Sequence, residues 1–464
     1  MQIRQFYLGC LAHASYLIAD EGAGVAAVID PQRDIDIYLD EARERKLRIG
    51  YVFLTHFHAD FLAGHLELHE RTGAEICLGS RAKAEYPFRR FADGEELALG
   101  AARIRILHTP GHTPESISLL LFEAGAHAPK AVLTGDTLFI GDVGRPDLRV
   151  ALGWSAHDLG VLLYDSLHQK LLLLPDATLV YPAHGAGSLC GKNISKDLVS
   201  TIGDQRRLNY ALQPMPQEDF LRLVLTDQPD APAYFTYDAV LNTQAHSSLS
   251  ESLQQQLLPL NAAQAGAAVR GGAILLDTRT SIEHARAHWR GALNIPLDGA
   301  FATWCGTLLQ PDRAIIIIAN PGREREAGVR LGRIGFDRIA GYLYPGMEAL
   351  EGCDGLLQDR QRLSPAELAE RLAAPGAPRV LDVRSDAERG AGSIPGSLHI
   401  PLAHLSARRA EVPQQEPMVV YCQSGYRSSI AASLLQSWNE SAVADLEGGF
   451  QAWRQLTAGA TAPA

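Results

Sequence analysis

The sequence predicts an α/β protein of about three domains, in which an N-terminal sandwich of strands and helices precedes two copies of a smaller α/β module. The chain has 464 residues, and about 150 residues per domain is usual. Apolar strand-like runs alternate with helical stretches, such as 34–45 and 158–171, over the first ~240 residues. Beyond them, one sequence pattern recurs 105 residues later.

The composition is that of an ordinary globular protein with a large core. Hydrophobic residues make up 46% and charged residues 20%, which excludes a disordered chain. The formal net charge of −11, without a basic stripe, argues against a nucleic-acid partner. No run approaches the ~18 apolar residues that span a bilayer, so no membrane partner is expected. The first residues lack a signal-peptide pattern, and six scattered cysteines indicate reduced thiols, so we expect a cytoplasmic protein.

The N-terminal domain, predicted over residues 1–245, carries four polar motifs that each follow a short apolar run. The first motif reads T-H-F-H-A-D-F and places two imidazoles at i and i+2, on the same side of an extended backbone, with a carboxylate nearby. The other motifs read T-P-G-H-T, T-G-D-T and Y-P-A-H-G. Because these strand ends would meet at one rim, their side chains predict a metal site. The candidate residues are His56, His58, Asp60, His112, Asp136 and His184.

This ordered set resembles the metallo-β-lactamase superfamily, whose first motif usually reads H-x-H-x-D-H and holds two zinc ions. Here Phe61 stands in place of the last His. The resemblance implies an αββα sandwich, with one dominant metal position. Within the superfamily the chain is similar to persulfide dioxygenases, which implies that one Fe(II) per chain is held by two imidazoles and a carboxylate, the set typical of non-haem iron. The implied ligands are His56, His112 and Asp136, and the implied residues that orient ligands and substrate are His58, Asp60, His65 and His184.

Two further residues are candidates for contact with the substrate. Arg145 follows the Asp136 motif and would bind the carboxylate or phosphate of a thiol carrier, the alternative being a salt-bridged loop arginine. Cys190 lies six residues past His184 and would accept or relay sulfur at the pocket mouth. An ordinary loop thiol is the alternative for Cys190.

Two copies of one α/β module are predicted after a Pro- and Ser-containing stretch at 228–250, which is either a linker or a strap that lies on a domain surface. The tetrapeptide L-D-T-R that begins at Leu276 recurs as L-D-V-R at Leu381, and N-I-P-L at Asn294 recurs as H-I-P-L at His399. The period is too long, and the copies are too few, for a solenoid. The middle module is placed at 255–355 and the last module at 360–464.

In the last module, a buried-strand signature ends at Cys422, which is followed by Q-S-G-Y-R and a helical run. A glycine-bearing loop turns N–H groups inward, and the helix start and Arg427 add positive charge, so a thiolate or a terminal persulfide is favoured. This loop resembles the active loop of rhodaneses, as do I-P-G at Ile394 and G-G-F-Q-A-W at Gly448. The resemblance implies Cys422 as the sulfur-carrying nucleophile and Arg427 as its charge partner. The other loop residues are Gln423, Ser424, Gly425 and Tyr426.

The corresponding loop of the middle module reads N-P-G-R-E-R, with Asn320 where the nucleophile should be. Asparagine cannot carry a sulfur atom, and Glu324 would repel an anion. We therefore predict a degenerate, catalytically inactive rhodanese-like domain. It would pack against the two active domains or hold them apart.

Together these resemblances imply a persulfide dioxygenase fused to a sulfurtransferase, with a role in sulfide detoxification. At Fe(II), O₂ would oxidise a low-molecular-weight persulfide to sulfite and thiol, while Cys422 would transfer sulfane sulfur to form or use thiosulfate. Small molecules are the expected partners, and we expect a homo-oligomer. Gly185 and Ala186 stand where glutathione-using members carry Asp-Tyr, so glutathione, coenzyme A, another thiol and inorganic polysulfide stay open as carriers.

Two other functions are open at the level of sequence. The first is a dinuclear zinc thioester hydrolase of the glyoxalase II type fused to a sulfurtransferase. Phe61 and the C-terminal module argue against it. In the second, the N-terminal metal domain is a docking module, and Cys422 of the last module relays sulfur to a partner protein. The full ligand set argues against that function.

Overall fold

The computed structural model describes residues 1–413, 416–438 and 442–460. The chain divides into two compact units, of which unit 1 comprises residues 1–252 with 332–335, and unit 2 comprises 253–331 with the residues from 336 onward. Within the described ranges, no helix has the length and apolarity needed to cross a membrane. Strands and helices alternate along the chain, which confirms the predicted α/β class.

Unit 1 is built on two six-stranded sheets. Its strands are β1 (Gln2–Leu8), β2 (His13–Asp20), β3 (Val25–Ile29), β4 (Arg48–Phe53), β5 (Glu75–Gly79), β6 (Arg89–Phe91), β7 (Glu96–Leu99), β8 (Ala102–His108), β9 (Ile117–Phe122), β10 (Ala131–Gly135), β11 (Leu179–Pro182) and β12 (Ser200–Thr201). The first sheet has the order β1-β2-β3-β4-β5-β6, and the second has the order β12-β11-β10-β9-β8-β7.

Helices alternate with these strands and follow them along the chain. They are α1 (Asp36–Glu44), α2 (His65–Thr72), α3 (Ala156–Gln169), α4 (Ile202–Leu208), α5 (Gln217–Leu225), α6 (Tyr234–Leu241) and α7 (Leu249–Gln256), the last of which crosses the unit boundary. The two predicted helical stretches correspond to α1 and α3.

The core of unit 1 lies between the two sheets. One hydrophobic cluster contains side chains from both sheets, including Phe53 of β4 and Leu119 of β9. A second cluster lies on the other face of the second sheet, where Leu120 packs with Leu163 of α3 and Phe220 of α5. On the first sheet, α2 packs against β4 and β5. The layers therefore form an αββα sandwich, as the sequence predicts.

Strand direction brings three of the four polar motifs to one edge of the second sheet. Strand β9 is antiparallel to both β8 and β10, and β10 is parallel to β11. Strands β8, β10 and β11 therefore run in the same direction, and their carboxyl ends lie at the same edge. The segments that carry His112, Asp136 and His184 follow these three ends directly.

The stretch 228–250, predicted to be a linker or a surface strap, is partly helical and packs onto unit 1. Tyr234, Phe235 and Asp238 of α6 are buried. The Asn242 side chain donates to the backbone oxygens of His58 and Phe61, at 2.8 Å in each case. This part of the stretch therefore matches the predicted strap and not an extended linker, because its apolar side chains are buried against unit 1.

Unit 2 contains two five-stranded parallel sheets with the same connectivity. The strands of the middle module are β13 (Pro259–Leu260), β14 (Ile274–Asp277), β15 (His288–Trp289), β16 (Leu293–Asn294), β17 (Ile315–Ile318), β18 (Ile339–Leu343) and β19 (Leu357–Gln358), and those of the last module are β20 (Arg362–Leu363), β21 (Arg379–Asp382), β22 (Leu398–His399), β23 (Met418–Tyr421) and β24 (Val443–Leu446). The orders β13-β18-β17-β14-β16 and β20-β24-β23-β21-β22 are equivalent, so the sequence repeat is a structural repeat. The separate pair β15 and β19 lies outside both five-stranded sheets.

Helices flank both sheets of unit 2. They are α8 (Ala262–Arg270), α9 (Ser281–Arg286), α10 (Phe301–Leu308) and α11 (Glu324–Gly332) in the middle module, and α12 (Pro365–Ala373), α13 (Asp386–Gly390), α14 (Tyr426–Ser437) and α15 (Gly449–Ala460) in the last. Helix α14 is covered on two sides, because it contacts its own strands β23 and β24 and also β16 of the middle module. Every residue from 428 to 435 is buried, and such all-round burial requires cover on both faces.

Arg360, a buried residue at the start of the last module, forms an ion pair next to α14 and also contacts the middle module. Arg360 donates from Nε to Asp445 at 3.0 Å and from Nη2 to the Ser429 hydroxyl at 3.0 Å. Its Nη1 lies 3.3 Å from Nδ1 of His284 in the middle module. Arg362 also contacts the Asp445 carboxylate, at 3.2 Å.

We expect the substitution Arg360→Ala to lower the free energy of unfolding of unit 2 by about 3 kcal/mol, because removing one partner of a buried pair leaves polar groups uncompensated. Urea unfolding followed by circular dichroism would measure this. The control is Arg379→Ala, which removes an exposed pair with Glu416 and should cost less than about 1 kcal/mol. Equal losses in the two variants would contradict the inference.

Candidate metal centre and sulfur-transfer loop

The ends of β4, β8, β10 and β11 bring six His and Asp side chains into one buried cluster. Three overlapping donor groups, each with its ligand atoms within 4.8 Å of one another, are His56 with His112 and Asp136; His58 with Asp60 and His184; and Asp136 with His184 and Cys190. Asp136 lies at the centre, because its Oδ2 is 3.7 Å from His56 Nε2, 3.5 Å from His112 Nε2 and 3.6 Å from His184 Nε2. The predicted ligand set is thus brought together in space.

Hydrogen bonds at Nδ1 orient three of these imidazoles. Nδ1 of His56 lies 3.0 Å from the Thr55 hydroxyl, which in turn donates to Asp30 at 2.8 Å. Nδ1 of His112 contacts the backbone oxygen of Arg145 at 2.9 Å, and Nδ1 of His184 contacts that of Ala12 at 3.1 Å. Because these oxygens accept the Nδ1 proton, each Nε2 carries its lone pair into the cluster, which is the arrangement that metal-binding imidazoles need.

The inward-facing atoms of the cluster fit a cation. Nε2 of His56, Nε2 of His184 and both carboxylate oxygens of Asp136 are buried and have no hydrogen-bond partner in the part of the chain that the structure describes. Buried polar atoms without partners are rare, and a bound ion is one of the few explanations for several together. The donor chemistry, imidazole nitrogen with carboxylate oxygen, suits iron or zinc.

The protonation states of the cluster also suit a metal. Burial holds the pKa of His56 well below its ordinary value and lowers the pKa of His112 to about 3, so both rings are neutral near pH 7. Burial, opposed in part by His184, raises the pKa of the Asp136 carboxyl to about 6. Burial alone would lower the pKa of His184, but the Asp136 and Asp60 carboxylates together raise it.

Phe61 fills the position beside the second donor group with an apolar ring. It is fully buried, and its ring centroid lies 4.3 Å from that of His58 and 4.0 Å from that of His13. A phenyl ring cannot donate to a metal, so the group of His58, Asp60 and His184 has one nitrogen ligand fewer than the motif with His at this position. Asp60 lies 3.4 Å from His184 Nε2.

Two of the residues expected to orient the site lie in different surroundings. Nε2 of His58 is 3.1 Å from Asp30 Oδ1, so its nearest carboxylate is not one of the predicted ligands. His65 begins α2, and its ring lies 4.9 Å from that of Tyr86. His65 belongs to none of the donor groups found among the described residues.

Several residues at this site were missed by the sequence interpretation. His13, at the start of β2, is buried and forms an isolated bridge to His184. Neither of its ring nitrogens has a hydrogen-bond partner within the described ranges. Glu115 accepts the N–H of Phe57 at 3.1 Å, while the buried Arg149 donates to the Phe57 carbonyl oxygen and lies 3.6 Å from Glu115. This pair holds the peptide between the first two motif imidazoles. In the sequence, Glu115 and Arg149 are charged residues in loops, and no fixed spacing links them to the first motif.

The two residues predicted to contact the substrate, Arg145 and Cys190, lie in different environments. Arg145 donates to both oxygens of Asp147, at 2.7 Å each, and to the backbone oxygens of Leu189 and Pro229. These contacts occupy its guanidinium and favour the salt-bridged alternative over a substrate contact. Cys190 is buried beside Asp136 and His184 and not at an exposed mouth, and burial raises the pKa of its thiol well above the ordinary value.

The last module places Cys422 at the end of β23, at the start of the active loop (residues 422–427). Cys422 is buried as a free thiol, and its Sγ accepts the N–H of Gly425 at 3.1 Å. Gly425 has φ of +109°, a conformation that favours glycine. Gln423 is partly buried and Ser424 is exposed, while Tyr426 begins α14.

Arg427 has a partner that the sequence interpretation did not identify. Its guanidinium donates to both oxygens of Glu388, at 2.7 and 2.6 Å, and this pairing lowers the pKa of Glu388 to about 2. The Glu388 carboxylate therefore partly neutralises the positive charge that Arg427 brings near Cys422. In the middle module, Glu283 accepts from the Asn320 side chain at 3.0 Å, so the equivalent carboxylate bonds the residue that replaces the nucleophile.

Comparison with known proteins identifies two domain families in the chain. The family model described as Metallo-beta-lactamase superfamily matches residues 8–184, and the model described as Rhodanese-like domain matches residues 364–456. The crystal structure of a metallo-beta-lactamase from Staphylococcus aureus is 31% identical, with a TM-score of 0.66, over 74% of this chain and 98% of its own.

Relatives with named activities match the N-terminal half. The mitochondrial persulfide dioxygenase ETHE1 of Bos taurus is 28% identical over 227 residues, which cover 48% of this chain and 80% of that protein. The hydroxyacylglutathione hydrolase GloC of Haemophilus influenzae is 30% identical over 206 residues, which cover 40% of this chain and 85% of that protein. These families indicate an enzyme, and the metallo-beta-lactamase fold implies a metal. The chain belongs to the metallo-beta-lactamase superfamily and carries a C-terminal rhodanese-like domain, as the motifs of its sequence predicted.

Proposed function

We propose that this protein is an Fe(II)-dependent persulfide dioxygenase joined to a sulfurtransferase, with a role in sulfide detoxification. The observation that carries the proposal is the His56, His112 and Asp136 group, a buried set of two imidazoles and one carboxylate. Nε2 of His56 and both Asp136 oxygens have no hydrogen-bond partner among the described residues. In this proposal residues 1–245 are the dioxygenase domain, 255–355 are an inactive rhodanese-like domain, and those from 360 onward are the sulfurtransferase.

The proposed oxidation consumes one O₂ and one water for each persulfide: R–S–SH + O₂ + H₂O gives R–SH + SO₃²⁻ + 2 H⁺. Iron held by the three ligands would supply a centre at which O₂ and the persulfide meet and developing negative charge is stabilised. The protons released need an acceptor inside the buried cluster. The His184 imidazole, between the Asp60 and Asp136 carboxylates, is suited to hold a proton at Nε2.

The proposed sulfur transfer takes place at Cys422. A persulfide on this residue passes its outer sulfur to sulfite: Cys–S–S⁻ + SO₃²⁻ gives Cys–S⁻ + S₂O₃²⁻, and the reverse reaction loads Cys422 from thiosulfate. The N–H of Gly425, 3.1 Å from Sγ, and the start of α14 stabilise negative charge on sulfur in either direction. Arg427, although paired with Glu388, adds a further positive charge near the loop.

A second candidate is a dinuclear zinc thioester hydrolase joined to the same sulfurtransferase. The observation that favours it is the second donor group, in which His58, Asp60 and His184 lie within 4.8 Å of one another beside the shared Asp136. The GloC relative adds support. The ring of Phe61 opposes it, because the second position then has one donor fewer.

Metal content distinguishes the two candidates. We expect protein isolated without oxygen and supplied with Fe(II) to hold about one iron per chain and to consume O₂ only when a persulfide is added. In the variant Phe61→His, the second position regains an imidazole, so we expect metal binding to rise to about two per chain. Elemental analysis and an oxygen electrode would provide the measurements. Two zinc ions in the unmodified protein, with thioester cleavage and no O₂ uptake, would support the hydrolase.

The two activities should be separable by single substitutions. We expect Asp136→Ala to lower O₂ uptake by more than about 100-fold, because it removes a ligand shared by the whole cluster, while transfer of sulfur from thiosulfate to a thiol is retained. Cys422→Ser should abolish that transfer and retain O₂ uptake with added persulfide. Circular dichroism would check that each variant folds. Loss of both activities in either folded variant would contradict two independent sites.

A further inference from the structure

We propose that the middle module, although it lacks a nucleophile, positions the active loop of the last module through Tyr426. This proposal rests on the proposed sulfurtransferase function of Cys422. Tyr426 is the loop residue directly after Gly425, whose N–H contacts the Cys422 sulfur. Its phenol hydroxyl donates to the backbone oxygen of Pro296 at 2.9 Å, and Pro296 lies two residues past β16 of the middle module. The end of the active loop is therefore bonded to the other module.

The middle module accommodates the Tyr426 ring at Gly299. Gly299 has φ of +127°, a conformation that L side chains rarely adopt, and a Cβ at this position would lie 2.8 Å from Cε2 and 2.9 Å from Cζ of Tyr426. Two independent constraints, backbone conformation and space, thus require glycine here. Burial raises the pKa of the Tyr426 phenol, so the hydroxyl keeps its proton and remains a donor at neutral pH.

Further contacts hold the same face of α14 against the middle module. The Ser429 hydroxyl donates to the Asn294 side-chain oxygen at 3.1 Å, and the Ser433 hydroxyl accepts the Asn294 backbone N–H at 2.9 Å. Tyr426, Ser429 and Ser433 are spaced i, i+3 and i+7, which places them on one face of a helix. The contact that Tyr426 makes with the middle module lies at the active loop. The contacts of Ser429 and Ser433 lie further along the helix.

The hydrogen bond, and not close packing alone, fixes the ring. A cavity of about 190 Å³ borders Tyr426 and is lined by residues of the middle module that include Thr278, Asn320 and Arg323. The cationic side chains at its wall are paired, Arg279 with Asp277 and Arg323 with Asp298, so the cavity offers no unpaired charge to a ligand. It gives the ring room to move once the bond to Pro296 is lost.

Tyr426 affects the chemistry of Cys422 through the adjoining residue, Gly425. Displacement of Tyr426 moves the adjoining Gly425 N–H, and that N–H stabilises negative charge on the Cys422 sulfur. Tyr426 is thus a positioning residue. Loss of its bond should lower the nucleophilicity of Cys422 and raise the pH at which its thiolate forms, although Tyr426 itself takes no part in bond making.

The test compares Tyr426→Phe, which removes only the hydroxyl, with Ser433→Ala, which removes a hydrogen bond to the same module away from the loop. Two readouts are used: sulfur transfer from thiosulfate to cyanide, and the pH profile of Cys422 alkylation by iodoacetamide, followed by mass spectrometry of the Cys422 peptide. We expect Tyr426→Phe to lower kcat/KM by about three- to tenfold, which corresponds to one neutral hydrogen bond, and to shift the alkylation profile to higher pH. Ser433→Ala should change neither readout.

Gly299→Ala provides a second variant, in the middle module and outside the active loop. We expect it to shift the alkylation profile in the same direction as Tyr426→Phe. If it fails to fold, the isosteric Tyr426→Phe variant still decides. An unchanged profile and rate in Tyr426→Phe, or equal changes in Ser433→Ala, would overturn the positioning role. Absence of sulfur transfer in the unmodified protein would instead refute the sulfurtransferase function, and the alkylation profiles would still test the positioning.

Discussion

The metal site depends on the fixed orientation of three buried imidazoles. Each Nδ1 of His56, His112 and His184 contacts an oxygen acceptor at 2.9 to 3.1 Å, so each Nε2 faces the shared Asp136 carboxylate. Nε2 of His56, Nε2 of His184 and the Asp136 oxygens are buried without partners among the described residues, and this costs about 1–3 kcal/mol per group. Other interactions in the sandwich must offset this cost, and a bound metal would remove it by bonding these atoms. The site is therefore preorganised by the fold, and the free energy of metal binding also stabilises the folded state.

Much of this architecture could be predicted from the sequence because its signals are local. The polar motifs follow apolar runs, so the positions of His56, His112 and Asp136 at strand ends could be inferred from short windows. The repeat was visible because the tetrapeptides at Leu276 and Leu381 recur at a constant offset. Both kinds of signal depend on neighbouring residues and need no knowledge of packing.

The supporting contacts could not be predicted, because they join residues that are far apart in the sequence. Asn242, in a stretch interpreted as a linker or a surface strap, donates a hydrogen bond to the backbone oxygen of Phe61. Glu388 pairs with Arg427 from 39 positions away, and this pair changes the electrostatics that the loop alone suggested. In each case a side chain satisfies a buried or charged group in a distant segment, and only the packing of the fold determines which residue does so.

The duplication explains how a module without a nucleophile can remain part of an active enzyme. In a single module, one face of α14 would be exposed to water, and helices exposed on one face carry polar residues there. Here residues 428 to 435 are small or apolar on all sides, which makes sense only if a second sheet covers the outer face. The middle module provides that cover through β16. Because the middle module covers the helix that follows Cys422, an asparagine at position 320 leaves that cover in place, whereas removal of the whole module would expose the outer face of α14.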